Sequence, residues 1–149
     1  MSKSNLTYLQ VLEYFNQNSG YYAWTGVQDE KEICRLAEQG NREAILARKK
    51  ADSIFKQTLG GYFFRNPNVD SIVFTGGMGS KNHRQREMFL NGLENYHILL
   101  DKNKNAQIYD CEATIHQKES NIKIYVIPTN EELQMLKEVK KFFFVKKVN

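Results

Sequence analysis

The sequence predicts an α/β fold, in which strands alternate with helices. Two short apolar segments, residues 71–75 (SIVFT) and 122–127 (IKIYVI), are rich in β-branched side chains, as strands are. Each leads through a turn into a segment with helical periodicity, which is the order of elements in α/β proteins. The chain has 149 residues, of which 41% are apolar, and this is enough for one globular core. We therefore expect residues 1–149 to form a single domain.

Three helices are predicted ahead of the first strand. Leucines and a phenylalanine recur at helical spacing through residues 5–17, so this segment is predicted to be an amphipathic helix. A short helix and then a long, strongly periodic one follow it. The residues predicted to begin or end these helices are Asn18 for the first, Asp29 and Gly40 for the second, and Asn41, Gly60-Gly61 and Asn66-Pro67-Asn68 for the third.

The second half of the chain is predicted to hold a glycine turn, further helices and the second strand. Residues 88–96 carry apolar side chains at helical spacing, and Pro128 ends the second strand. Thr129 and Glu132 have the spacing of a capping box for a last helix. Two smaller elements are predicted between them, a short strand at residues 97–100 (HILL) and a polar loop at residues 101–105.

Composition excludes several classes of protein. There are 21 basic and 17 acidic side chains, a net charge of +4 that is far from the dense basic surface of a nucleic-acid-binding protein. Cys34 and Cys111 form no C-x-x-C motif, and the histidines lack zinc-site spacing. The chain begins without an apolar signal core and contains no run of about 20 apolar residues that could span a membrane. We therefore expect a cytoplasmic protein.

Two turns follow the predicted strands and are the candidate ligand sites, because ligands of α/β sheets bind at the carboxyl ends of strands. The first is Thr75–Gly79, whose glycines fit neither the spacing of a P-loop nor that of a dinucleotide-binding motif, so a plain tight turn stays open as an alternative. The second turn is residues 128–132. Its Glu132 is explained by the capping box, whereas Glu131 is free to hold Mg²⁺.

The chain resembles the C-terminal half of the acetate kinase family. The segments SIVFTGGMG and IKIYVIPTNEEL are similar to two signature segments of that half, and SGYYAWTGVQD, EQGNREA and NGLENYHILLDKNKN stand between and before them in the family's order. The resemblance covers residues 9–139. It implies an RNase H-like (actin-like ATPase) C-terminal domain with a mixed sheet flanked by helices, and it implies that ATP and Mg²⁺ are bound.

The resemblance also assigns site residues. It implies that the glycine turn contacts the adenosine part of the nucleotide, that Glu131 is the carboxylate associated with Mg²⁺, and that residues 28–31 contribute to the nucleotide site. Two lysines depart from the family pattern, because Lys31 stands in place of an arginine and Lys81 in place of an asparagine that helps to hold the nucleotide. The full set of implied nucleotide-binding residues is Asp29, Lys31, Gly76, Gly77, Met78, Gly79 and Lys81.

The family transfers a phosphoryl group between ATP and acetate, and its acetate pocket and catalytic residues lie in the N-terminal half. The resemblance therefore implies a chain without that half, inactive alone and active only with an N-terminal partner chain. A non-catalytic nucleotide-binding or dimerisation module, or a truncated relic, is the alternative, and a homodimer fits the family. Residues 137–147 (KEVKKFFFVKK) could lie on an anionic membrane, although packing of the phenylalanines on the core explains them as well.

Overall fold

The structure is a computed structural model that describes residues 6–144, with only the backbone of Phe144. It divides into two compact units, Met1–Tyr62 and Phe63–Asn149, each of which is considered by itself below. The expectation that residues 1–149 form one domain stays a prediction. The end of the basic, phenylalanine-rich segment lies outside the described residues.

From residue 6 onward the first unit contains four helices, and the last of them continues past Tyr62, where the unit ends. They are α1 (Tyr8–Gln17), α2 (Gly20–Thr25), α3 (Glu30–Glu38) and α4 (Arg42–Arg65). The predicted first helix is confirmed: Thr7 and Gln10 form a capping box at its start, and Asn18 caps its end. None of the α1 side chains is buried. The buried apolar side chains of this unit are Ile33 and Cys34 on α3 and Ala44 and Ala47 on α4.

The predicted caps of α3 and α4 are confirmed. The backbone N–H of Lys31 donates to Oδ1 of Asp29 at 3.1 Å, and that of Ala44 donates to Oδ1 of Asn41 at 2.9 Å. Gly40 follows the end of α3 with a φ of +85°, a left-handed conformation that favours glycine.

The predicted break of the long helix at Gly60-Gly61 is wrong. The helix α4 continues through both glycines to Arg65 and ends before Asn66-Pro67. A glycine inside a helix costs only about 1 kcal/mol relative to alanine, which neighbouring turns can offset. Pro67 ends the helix because its ring disfavours helical backbone at the preceding residue.

The second unit contains a three-stranded sheet and its helices. Its elements are β1 (Ser71–Phe74), α5 (Gly76–Lys81), α6 (His83–Leu90), a 3₁₀ turn (Glu94–Tyr96), α7 (Lys102–Gln107), β2 (Ala113–Thr114), β3 (Lys123–Val126) and α8 (Glu131–Phe144). The strand order is β1-β3-β2. The strands β1 and β3 pair in parallel, from Ser71 opposite Lys123 to Phe74 opposite Val126, while β2 pairs antiparallel with β3. The predicted mixed α/β sheet is confirmed.

One face of this sheet is buried. Ile72, Phe74, Ile124 and Val126 alternate along β1 and β3 and face the core, which also contains Leu90, Ile98, Leu100 and Ile115. Val73, between the buried residues of β1, is 49% exposed. The strand β1 is therefore buried on one face only.

Several predicted elements of the second unit need correction. The helix predicted over residues 88–96 ends at Leu90, because Gly92 adopts a φ of +83°. The predicted strand at residues 97–100 is only an isolated bridge between Leu100 and His116. The predicted polar loop is helix α7, whose N-cap Asp101 accepts a hydrogen bond from the N–H of Lys104 at 3.0 Å. Its sequence, KNKNAQ, has no apolar residues at helical spacing, so the pattern gave no signal for a helix.

The capping box predicted at the last helix is also wrong. The residue that caps α8 is Asn130, whose Oδ1 accepts from the N–H of Leu133 at 2.9 Å. Asparagine is at least as good an N-cap as threonine, and it lies directly before the first helical residue, Glu131. Glu132 is therefore a first-turn carboxylate near the positive end of the helix dipole, not the partner of Thr129.

Candidate functional site

The two candidate turns meet in one cleft of the second unit. Because β1 and β3 are parallel and in register, their carboxyl ends lie side by side, and the turn after each strand lies at the same edge of the sheet. A cleft of about 400 Å³ opens there. Its lining residues are Gly76, Gly77, Ser80, Lys81, Asp110, Thr129, Asn130, Glu131 and Glu132.

Four of the eight implied site residues therefore line one cleft. They are Gly76, Gly77, Lys81 and Glu131. Met78 and Gly79 belong to the same short helix, α5, but are outside the lining. The remaining two, Asp29 and Lys31, begin helix α3 in the first unit, where the Asp29 carboxylate accepts the Lys31 N–H.

The three glycines of the turn have different structural roles. Gly76 adopts a φ of +65°, which side chains rarely tolerate. At Gly77 a Cβ atom would meet nothing within 4 Å, so this glycine leaves open space beside the cleft. At Gly79 a Cβ atom would lie 2.9 Å from the backbone carbon of Phe74, so this glycine is required for close packing of α5 on β1. Backbone conformation explains the glycine at Gly76, and packing explains the one at Gly79. Neither explains Gly77, which close approach of a ligand would explain.

Asp110 is a site residue that the sequence analysis missed. Its carboxylate accepts a hydrogen bond from the Ser80 hydroxyl at 2.8 Å and lies 3.3 Å from Nζ of Lys81. Its backbone N–H donates to the Ser80 carbonyl at 2.9 Å. Asp110 has a φ of +51°, an uncommon conformation for a residue with a side chain. It lies outside both predicted turns, 30 residues from Ser80, so local patterns give no signal for it.

These contacts favour the ionised form of the Asp110 carboxyl. The Ser80 hydroxyl, and after it the Lys81 ammonium, hold the pKa of the Asp110 carboxyl below its ordinary value. Each of them stabilises the ionised form, by a hydrogen bond in the first case and by a hydrogen bond and opposite charge in the second. The Lys81 ammonium is thereby directed to Asp110, along one side of the cleft.

The charges of the cleft favour a cation or an uncharged group. Among the residues that the structure describes, its lining holds the carboxylates of Asp110, Glu131 and Glu132 and one ammonium, that of Lys81. Among residues 6–144 no group of three or more acidic, histidine or cysteine side chains is arranged to hold a metal ion. A Mg²⁺ ion here would therefore need ligands from a bound phosphate and from water, as Mg²⁺ sites on substrate phosphates commonly do. One or two carboxylates suffice for such a site, so the donor set fits.

In the first unit, one carboxyl beside the implied residues is perturbed. Burial, and after it the charge of Asp29, raises the pKa of Glu30, while Arg48 opposes the shift. Oε1 of Glu30 and Nε of Arg48 are buried without a hydrogen-bond partner. Glu30 was not predicted as a site residue, and its neighbour Asp29 was.

The described part of the chain contains no helix that is long and apolar enough to cross a bilayer.

Comparison with solved structures gives the class of fold. Residues of this chain superpose on acetate kinase from Porphyromonas gingivalis with a TM-score of 0.78 at 31% identity, covering 89% of this chain and 34% of that one. Acetate kinase from Entamoeba histolytica gives a TM-score of 0.81 at 22% identity, covering 93% and 38%, and supports the fold alone. The chain therefore has the actin-like ATPase fold of the acetate kinases, as predicted.

Sequence comparison gives the family. The model of the acetokinase family matches residues 1–137. Acetate kinase from Caldanaerobacter subterraneus subsp. tengcongensis is 40% identical over 143 residues, which are 95% of this chain and 35% of that protein. The chain belongs to the acetokinase family, and the predicted resemblance to that family is confirmed. It spans about a third of the length of the curated relatives that it matches.

Proposed function

We propose that this chain is the C-terminal, nucleotide-binding part of an acetate kinase-type phosphotransferase. The observation that carries the proposal is the cleft at the carboxyl ends of two parallel strands, whose lining includes both Gly77 and Glu131. The reaction class comes from the relatives, which are named acetate kinases. Transfer between ATP and acetate would require the remaining two thirds of the family's length, on the same chain or on another.

In this proposal the nucleoside lies against the open backbone of Gly77. Because carboxylates outnumber the ammonium in the lining, the phosphates are favoured there only with a divalent cation. Glu131 would hold Mg²⁺, directly or through its water shell, and the ion when bound would neutralise charge on the phosphates. Lys81, held beside Asp110, borders the same space.

Asp29 and Lys31, in the first unit, are proposed as nucleotide-binding residues because of the family resemblance. The Asp29 carboxylate has one oxygen engaged as the cap of α3, which leaves acceptor capacity for a ligand. Lys31 supplies a positive charge without the planar, two-point grip of an arginine. The compartment that we propose for this chemistry is the cytoplasm.

Calorimetric titration of the purified chain with ADP, with and without Mg²⁺, tests nucleotide binding. We expect binding that strengthens with Mg²⁺, and we expect Glu131→Gln to remove the Mg²⁺ dependence. Glu132→Gln, the adjacent carboxylate of the same helix turn, is the matched control and should keep it. Equal Mg²⁺ dependence in Glu131→Gln and the unchanged chain would disprove the role of Glu131, and failure of the unchanged chain to bind would disprove the nucleotide site.

A second assay tests the need for the rest of the enzyme. The chain mixed with ATP, Mg²⁺ and acetate should form no acetyl phosphate, and addition of a separately purified N-terminal half of an acetate kinase should restore it. Turnover by the chain alone would contradict this part of the proposal.

A second candidate function is a dimerisation module, and the surface of α8 favours it. Met135, Leu136, Val139, Phe142 and Phe143 lie on one face of this helix, and each is at least half exposed. Exposed apolar faces of this kind commonly mark interfaces. We expect a homodimer by analytical ultracentrifugation, and a monomer for Leu136→Glu.

Binding of the chain to anionic vesicles, lost on deletion of residues 140–149, would instead favour a membrane surface.

A further inference from the structure

Arg86, on helix α6, is fully buried and has all its hydrogen-bond donors satisfied. Its guanidinium has five N–H groups. Nε donates to Oδ1 of Asn105 at 2.7 Å, Nη1 to the carbonyls of Gly79 at 2.7 Å and Ser80 at 3.1 Å, and Nη2 to the carbonyls of Asn105 at 3.1 Å and Ile108 at 2.9 Å. Five donors therefore meet five uncharged oxygen acceptors.

These acceptors belong to two separate segments, each of which carries a residue that lines the cleft, Ser80 in one and Asp110 in the other. Gly79 and Ser80 lie in helix α5, which carries the glycine turn. Asn105 and Ile108 lie at the end of α7, just ahead of Asp110. The guanidinium thus links the glycine turn to the segment that brings Asp110 to the cleft.

Two further contacts continue this link. The side-chain N–H of Asn105 donates to the carbonyl of His83 at 2.9 Å, so Asn105 is itself fixed to the start of α6. The N–H of Asp110 donates to the Ser80 carbonyl, which is also an acceptor for Arg86. The carbonyl of Ser80 therefore binds the guanidinium and one rim residue of the cleft together.

A buried cation of this kind is costly to keep. Burial lowers the pKa of Arg86, although an arginine stays protonated at any ordinary pH. The cost of removing a charge from water is offset only when its hydrogen bonds are complete, as they are here. An apolar side chain could fill the same volume, but it could not hold four backbone carbonyls at fixed positions.

We infer that Arg86 is a positioning residue that joins the glycine turn to the Asp110 segment and thereby sets the affinity of the cleft for its nucleotide. It does not itself line the cleft, and it acts through the backbone carbonyls of Gly79 and Ser80. This inference rests on the proposed nucleotide site. Lysine cannot replace the arginine, because its three N–H groups diverge from one atom and cannot reach five acceptors in one plane.

The variant Arg86→Lys tests the inference, with Arg65→Lys, an exposed residue of the same unit, as its matched control. The dissociation constant for ADP with Mg²⁺ is measured by calorimetry at a temperature where circular dichroism shows both variants folded. We expect Arg86→Lys to weaken binding about tenfold, the effect of roughly one lost charge-assisted hydrogen bond, and Arg65→Lys to leave it unchanged. A lower melting temperature with unchanged affinity would overturn the inference and leave Arg86 a purely structural residue.

Two further measurements keep the test decisive. Arg86→Ala should bind ADP weakly and recover when millimolar guanidinium is added, because the free cation can occupy the vacated space; absence of recovery counts against the inference. Amide hydrogen exchange at Asp110 should accelerate in Arg86→Lys and not in Arg65→Lys. If the unchanged chain binds no ADP, the proposed function fails, and the exchange at Asp110 still decides whether Arg86 joins the glycine turn to the Asp110 segment.

Discussion

The hydroxyl of Ser80 donates to Oδ1 of Asp110 at 2.8 Å, and this contact joins helix α5 to a segment that follows it 30 residues later. Both residues line the cleft at the carboxyl ends of β1 and β3. The contact holds the Asp110 carboxylate beside the cleft, where it also pairs with the Lys81 ammonium. The glycine turn is thus part of a larger arrangement that includes a carboxylate outside the two turns.

Ser80→Ala should alter the acid sensitivity of the second unit. The Ser80 hydroxyl is the largest cause of the lowered Asp110 pKa, so its loss should raise that pKa toward the ordinary value. A carboxyl whose folded pKa is depressed contributes stability above its unfolded pKa, and this contribution is lost as pH falls through the folded pKa. We expect that contribution to be smaller in the variant and its loss to be complete at a higher pH. Carbon-13 NMR titration measures the pKa of the Asp110 carboxyl, with Ser53→Ala as the control. An unchanged pKa in Ser80→Ala would contradict the role given to the Ser80 hydroxyl.

Alanine at Gly79 and at Gly77 should have opposite effects. Gly79→Ala places a Cβ atom 2.9 Å from the Phe74 backbone and should lower the free energy of unfolding by about 1–3 kcal/mol. Gly77→Ala meets nothing within 4 Å and should leave the free energy of unfolding unchanged or higher by up to about 1 kcal/mol. If the nucleoside packs there, Gly77→Ala nevertheless weakens ADP binding. Urea unfolding and calorimetry measure both effects, and a stable Gly77→Ala variant with full affinity would place the nucleoside elsewhere.

Lys81→Asn should strengthen nucleotide binding. The substitution restores the asparagine of the family pattern, which offers both a donor and an acceptor, and removes the ion pair that directs the side chain to Asp110. One additional neutral hydrogen bond is worth about 0.5–1.5 kcal/mol, so we expect a roughly threefold to tenfold lower dissociation constant for ADP. Lys123→Asn, on the exposed side of β3, is the control. Weaker binding in Lys81→Asn would show that the lysine itself is a nucleotide ligand.

Glu30→Gln should stabilise the first unit at neutral pH. The pKa of Glu30 is raised, chiefly by burial, so the ionised form is disfavoured in the folded state. For a group with a raised folded pKa, the stabilising contribution is complete below the unfolded pKa and is lost as pH rises through the folded pKa. Glutamine resembles the protonated form, so the variant should lose less stability between acid and neutral pH. Urea unfolding across that range checks this, and Glu43→Gln, an exposed carboxylate, should behave like the unchanged chain.

Alanine at Gly60 or Gly61 should stabilise α4. Both glycines lie inside the helix, and a Cβ atom at either would meet nothing within 4 Å. Each substitution should therefore raise the free energy of unfolding by about 0.5–1 kcal/mol through helix propensity alone. Thermal unfolding checks the gain. Destabilisation by either variant would show that the glycines are needed for close contact with another part of the protein or with a partner.

Local patterns predicted those parts of the fold that depend on a few adjacent residues. The caps Asp29 and Asn41 were predicted correctly because capping needs only one side chain and the amides beside it. The strands β1 and β3 were predicted from their β-branched composition. Two predictions failed where competing local signals are close in energy: Gly60-Gly61 did not break α4, and Asn130 displaced Thr129 as the cap of α8.

The sequence by itself determined the family, the α/β class and the two turns that can hold a ligand, because each is written in a short contiguous segment. Tertiary structure alone decided that these turns share one cleft, since the parallel register of β1 and β3 joins residues far apart in the chain. Tertiary structure also revealed the contacts of Asp110 and Arg86 beside the cleft, which are hydrogen bonds between residues distant in the sequence. Such contacts leave no periodic pattern in the sequence. The two partners are far apart in the chain, and the fold of the backbone alone sets the distance between them.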